Sequence, residues 1–125
     1  MKILVTLLFL LPFNVFARTP SMPLEQLEKY SNYIVHGKVT ETMKTGDLKG
    51  CWKSRNESKL KVTKIIKGDP TDFLTIKFRV WDSASKCTGQ PDNIPYVGKR
   101  GKYYLSCNKE KVCGFTHWNG FKKLN

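Results

Sequence analysis

Lys59 to Trp81 reads KLKVTKIIKGDPTDFLTIKFRVW, and its pattern decides the fold. Two β-rich runs flank Gly68-Asp69-Pro70, a cluster that breaks helix and strand alike and so marks a turn. In the second run Ile76, Phe78 and Val80 alternate with Thr75, Lys77, Arg79 and Trp81. Successive side chains of a strand point to opposite faces, so one face is apolar and the other carries cations and an indole. The first run does the same, with Leu60 and Val62 against Lys59, Lys61 and Thr63. The pattern predicts a β-hairpin, apolar inside and basic outside.

Upstream, the first seventeen residues, MKILVTLLFLLPFNVFA, have the layout of a secretory signal. Lys2 supplies the positive start, Ile3 to Leu11 the apolar stretch and Val15-Phe16-Ala17 the small-residue cleavage site. The apolar run is short for a membrane span, and no cysteine stands at the cut to take a lipid. The expected division is therefore a signal peptide over residues 1–17 and a single domain over residues 18–125. Losing Lys2 lowers the formal charge of +12 by one, to +11. Such an excess suits polyanionic partners, and it equally suits plain solubility.

Cys51, Cys87, Cys107 and Cys113 all follow the expected cleavage site, and an even count behind a secretory signal reads as a disulfide framework. Four cysteines allow three pairings. Cys107 and Cys113 flank a polar tip, Asn-Lys-Glu-Lys, between two strand-like runs, which favours pairing them across a hairpin and leaves Cys51 with Cys87. The competing arrangement, four thiolates around zinc, lacks a C-x-x-C pair.

Taken in order, Ser21 is a candidate helix cap, Pro23 fits a first turn, and Leu24, Leu27 and Tyr30 recur at helical spacing. From Tyr33 the period changes to two, with Val35, Gly37 and Val39 on one face and His36, Lys38 and Thr40 on the other. Gly37 within that run suggests a bulge or bend. Met43 to Ser58 is rich in glycine and lysine and reads as a loop, with the sequon Asn56-Glu57-Ser58 at its end. Asp82 to Gly98 reads as a long irregular connection restrained by Cys87. Strands follow at Tyr103 to Cys107 and Val112 to Thr116. Trp118 and Phe121 are placed to close one end of the fold.

The expected fold is all-β with a short N-terminal helix: a small closed five-stranded OB-like barrel stapled by disulfides. LEQLEKYSNYIVHGKVTE (residues 24–41), VTKIIKGDPTDFLTIKF (62–78) and YVGKRGKYYLSC (96–107) together resemble the secreted proteins related to the tissue inhibitors of metalloproteinases, the netrin-module type. The likeness lies in a Gly-Lys-Val strand, a V-x-x-I-x-K-G-D turn and a G-K-x-Y-L strand. It implies an OB-like barrel. The family's zinc-chelating Cys-x-Cys start has no counterpart here, since the expected mature chain begins Arg18-Thr19-Pro20. Zinc-protease inhibition by that device is therefore not carried over.

No catalytic constellation stands out. His36 reads as a solvated strand residue and His117 as a packing residue, while Asp69 and Asp72 read as turn formers. No enzyme activity, cofactor or metal is expected. Two binding classes remain. The first is a secreted or periplasmic module that engages a protein through barrel loops, with Lys49, Trp52, Lys53 and Arg55 as candidate contacts. The second binds an acidic glycan, lipopolysaccharide or extracellular nucleic acid on the basic face of Lys61, Lys77, Arg79 and Trp81. A monomer is expected, with no membrane span after cleavage and no intracellular nucleic acid as partner.

Overall fold

The computed structural model describes residues 20–82, 87 and 93–124, so the leader and its cleavage site lie outside the described residues. One short helix, α1 (Leu24–Tyr30), precedes β1 (Tyr33–Asp47), β2 (Trp52–Lys67), β3 (Phe73–Trp81), β4 (Arg100–Cys107), β5 (Val112–Phe115) and β6 (Phe121–Lys123). All six strands belong to one sheet, in the order β1-β2-β3-β5-β4-β6, and β4 pairs with β1 as well. The pairings β1-β2-β3-β5-β4-β1 therefore close a ring of five strands, and β6 lies against β4 beside it. Every pairing is antiparallel except β3 with β5. Among the described residues the fold is all-β apart from α1, and five ring strands with an added sixth stand where five were expected.

Alternation puts the apolar row of each strand inside the ring. Val35, Val39, Leu60, Leu74, Ile76, Tyr103 and Leu105 are at most 1% exposed and pack as one cluster with Tyr33 and Cys113. The hairpin read from Lys59 to Trp81 is present, turning at Gly68, whose φ of 117° belongs to glycine's range. A Cβ there would also lie 2.6 Å from the Tyr33 ring. Gly37 marks a bend as expected. The register slips between His36 and Gly37, and a Cβ at Gly37 would come within 2.7 Å of the Lys61 carbonyl.

Two readings need correction. Met43 to Ser58 is not a loop: β1 continues to Asp47, β2 begins at Trp52, and the turn occupies only the residues between. This end of the hairpin lies beyond the β1–β4 pairing, which stops at Lys38, so most of β1 from Thr40 onward is exposed. A strand wet on both faces has no apolar alternation to read. The helix start is also displaced. Pro23, not Ser21, is the N-cap residue, and its carbonyl accepts from the amides of Gln26 and Leu27. Of the expected stripe only Leu27 is buried, against Ile34 and Tyr104, while Leu24 and Tyr30 are exposed.

Both disulfides have the pairing favoured from sequence. Cys51 bonds Cys87 across 36 residues, and Cys107 bonds Cys113 across the β4–β5 hairpin. At that hairpin's tip the Asn108 side-chain oxygen accepts from the amides of Glu110 and Val112, a local turn closure. No helix among the described residues is long and apolar enough to cross a membrane.

Phe78 is 6% exposed and Arg79 is exposed, as alternation demands. Phe78→Ala is expected to cost about 3–5 kcal/mol through the cavity it leaves. Arg79→Ala gives up the stacking contact with Trp52 at an exposed position and should cost about 1 kcal/mol or less. Urea denaturation checks both, and similar losses would contradict the observed register.

Candidate functional site

The eight cations and indoles singled out from sequence fall into separate places. Arg55 stands directly opposite Arg79, Glu57 opposite Lys77, and Trp52 opposite Trp81. Trp52 and Trp81 meet edge to face with centroids 4.9 Å apart, and the Arg79 guanidinium lies 3.8 Å above the Trp52 ring. Lys77 approaches Glu57 at 3.9 Å. The Cys51–Cys87 bond anchors this end, and Asp82 N–H donates to the Cys51 carbonyl at 2.9 Å. An open groove of about 460 Å³ runs beside it, lined by Thr45, Arg55, Asn56, Glu57, Lys77, Phe78 and Arg79. Trp52, Lys53 and Arg55 are thus strand residues, and only Lys49 sits in the turn. Asn56 of the sequon accepts a hydrogen bond from Ser54, and Ser58 is buried, donating to the Pro95 carbonyl.

Lys61 does not belong to this group. It faces Phe73 on β3 and Lys38 on β1, four pairs along the hairpin from Lys77 and so about 14 Å away. Its neighbours form a second group that spans four strands. Across β2, β1 and β4, Lys61, Lys38 and Arg100 are register partners. One row on, Lys64, His36, Lys102 and Lys122 align across β2, β1, β4 and β6. With adjacent strands about 4.8 Å apart, the longer row spans about 14 Å.

The face is outward by parity, because His36 and Lys38 alternate with buried Val35, Gly37 and Val39. None of its six cations, Lys38, Lys61, Lys64, Arg100, Lys102 and Lys122, has an ion-pair partner among the described residues. The first outward carboxylate along these strands is Glu41, which a bulge places opposite Lys59. Lys102 alone touches an aromatic, Tyr104 at 5.1 Å, and that ring is buried under Leu27 of α1. Burial holds the His36 imidazole below its usual pKa, and Lys64 and Lys102 lower it further. Lys99 lies apart from this face. Its ammonium donates to the Ile94 carbonyl and sits 4.3 Å over Phe121, and burial lowers its pKa.

Sequence reasoning missed five of the six cations because they come from four separate segments that only strand pairing brings together. Outward parity was the available signal: Lys38 stands between Gly37 and Val39, and Lys102 between Gly101 and Tyr103. No protein-family model matches the chain, and no curated protein matches it either.

Proposed function

We propose that this chain is a secreted, non-catalytic OB-like binding module that holds an acidic polysaccharide on its β2–β1–β4–β6 face. The carrying observation is the set of six cations on four neighbouring strands with no ion pair among the described residues. Like charges set directly opposite one another destabilise a sheet, and a bound polyanion would relieve them. Phe73, exposed opposite Lys61, already has the Lys59 ammonium 4.3 Å over its ring, so it is engaged by a cation rather than open to stack a base, which favours a sulfated or carboxylated glycan over single-stranded nucleic acid. The two disulfides fit an oxidising compartment, where such glycans are available.

The ring order β1-β2-β3-β5-β4-β1 with β3 and β5 parallel supports the OB-like reading. The motifs behind the resemblance to the tissue inhibitors of metalloproteinases lie in two strands and a turn. Gly37-Lys38-Val39 lies in β1, Lys67-Gly68-Asp69 at the β2–β3 turn and Gly101-Lys102-Tyr103-Tyr104-Leu105 in β4. A second reading, a protein partner held at the Trp52–Trp81 end, is supported by the groove lined by Arg55, Lys77, Phe78 and Arg79. There Lys77 is already near Glu57 and Arg79 stacks on Trp52, so these cations are less available to a polymer.

The two readings separate on salt dependence. Heparin binding is measured by titration at rising salt for the native chain, for Lys38→Ala/Lys61→Ala/Lys64→Ala, and for Lys77→Ala/Arg79→Ala. The triple variant is expected to bind roughly 10²-fold more weakly at low salt and to lose about three contacts' worth of slope. The double variant should stay near the native values. A slope that responds to the double variant instead, or binding of single-stranded DNA as tight as heparin, would sink the proposal.

A further inference from the structure

One member of the basic face is not a permanent charge. His36 is the centre of the row Lys64–His36–Lys102–Lys122 and is half-buried. Its ring nitrogens make no hydrogen bond or ion pair among the described residues; the side-chain bond it receives, from Thr63 Oγ1 at 3.2 Å, goes to its backbone carbonyl. A ring fixed in a sheet between two ammonium groups has nothing of opposite sign to receive its proton until an anion arrives.

Resting on the acidic-polysaccharide reading, we propose that His36 couples ligand binding to proton uptake, so that the face grips a sulfated polymer more tightly in mildly acidic than in mildly alkaline surroundings. The groups around it favour this sign. From β2 it is faced by Lys64 directly and Lys61 diagonally, and from β4 by Lys102 directly and Arg100 and Tyr104 diagonally. Lys38 is its outward neighbour on β1, and β6 adds Lys122 beyond Lys102. Helix α1, which packs on neighbouring Ile34 and Tyr104, carries Glu25, Glu28 and Lys29, yet the charges that act on the imidazole are those of Lys64 and Lys102. In the free chain this setting keeps the ring neutral near pH 7. Sulfate groups laid along the row offset both ammonium charges and add an acceptor for the protonated ring. The complex then binds a proton more readily than the free chain does, and linkage requires affinity to rise as pH falls. A shift of about one pKa unit between free and bound states corresponds to about tenfold in affinity.

Sulfate esters do not titrate in this range, so heparin oligosaccharide is the probe. Binding is followed by calorimetry at fixed ionic strength between about pH 8 and 5.5, in two buffers of different ionisation heat. The native chain is expected to bind up to about tenfold more tightly at the acid end and, for a shift of about one unit, to take up about half a proton midway between its free and bound pKa values. His36→Gln should lose the pH dependence while retaining the salt slope, and His36→Lys should bind tightly and evenly across the range. His117→Gln, outside the face, should behave as the native chain does; circular dichroism checks that each variant is folded. Binding without proton uptake, or an unchanged pH profile in His36→Gln, overturns the coupling and leaves the binding site standing. Absence of heparin binding at every pH overturns both.

Discussion

Tyr103→Ala is expected to be the most damaging of the single substitutions considered, destabilising the chain by about 3–5 kcal/mol. Tyr103 is fully buried, the largest side chain in that state, on the strand that pairs with β1, β5 and β6. Its ring stacks on Phe115 with centroids 6.0 Å apart and meets Phe121 edge to face at 4.9 Å. Truncation therefore opens a void where the ring of strands meets β6. Against a total stability of about 5–15 kcal/mol, a loss of that size removes a large share. Tyr103→Phe keeps the ring and gives up only the bond that the hydroxyl donates to the Lys99 carbonyl at 2.7 Å, so about 1 kcal/mol should go. Burial and nearby Tyr96 push the Tyr103 hydroxyl well above the usual phenol range, so it stays a donor throughout the physiological range. Thermal and urea unfolding of the two variants give the comparison. If Phe costs as much as Ala, the hydroxyl bond rather than the packing holds this corner.

The ring was legible in the sequence where burial is one-sided. Val39, Leu60 and Ile76 each sit between polar neighbours, and each is fully buried. Period two survives there because one face of the sheet is dry. It fades in Met43 to Ser58, where Thr45 and Lys44 face water from a strand whose backbone pairing alone defines it. It fades again at β6, whose three residues are too few to show a period. Pairing partners are a different matter. The parallel contact of Thr75 with Val112 joins residues far apart in the chain, and no local pattern encodes it.

The same limit governs the candidate site. The run Lys77-Phe78-Arg79-Val80-Trp81 announced a basic strand face, and the outward parity held. What the run could not announce is what stands opposite each residue. Glu57 faces Lys77 and Trp52 lies under Arg79, so the cations most visible in sequence are the partnered ones. Lys38, Lys64, Arg100, Lys102 and Lys122 looked unremarkable singly, and closure of the ring sets them side by side.

Removing the Cys51–Cys87 bond, by changing both residues to Ala, should cost about 4 kcal/mol, because a loop closed across a separation of 36 regains its freedom in the unfolded chain. Losing Cys107–Cys113, only 6 apart, releases about 2 kcal/mol by the same argument. Cys113 is 3% exposed within the core cluster, so its truncation adds about 1 kcal/mol of lost burial. The longer link should remain the costlier one, and urea unfolding of the two double variants gives the order. A reversed order would mean that packing around Cys113 outweighs the unfolded-state effect. The first variant also bears on function. Cys51 lies ten residues along the chain from Lys61, about 30 Å at the rise of a strand, so the heparin salt slope should not change below the melting point. The Trp52–Trp81 contact and the groove beside it lie next to the lost bond, and tryptophan emission should report their loosening. A partner held at that end would be released together with the disulfide, whereas a polymer held on the β2–β1–β4–β6 face would stay bound.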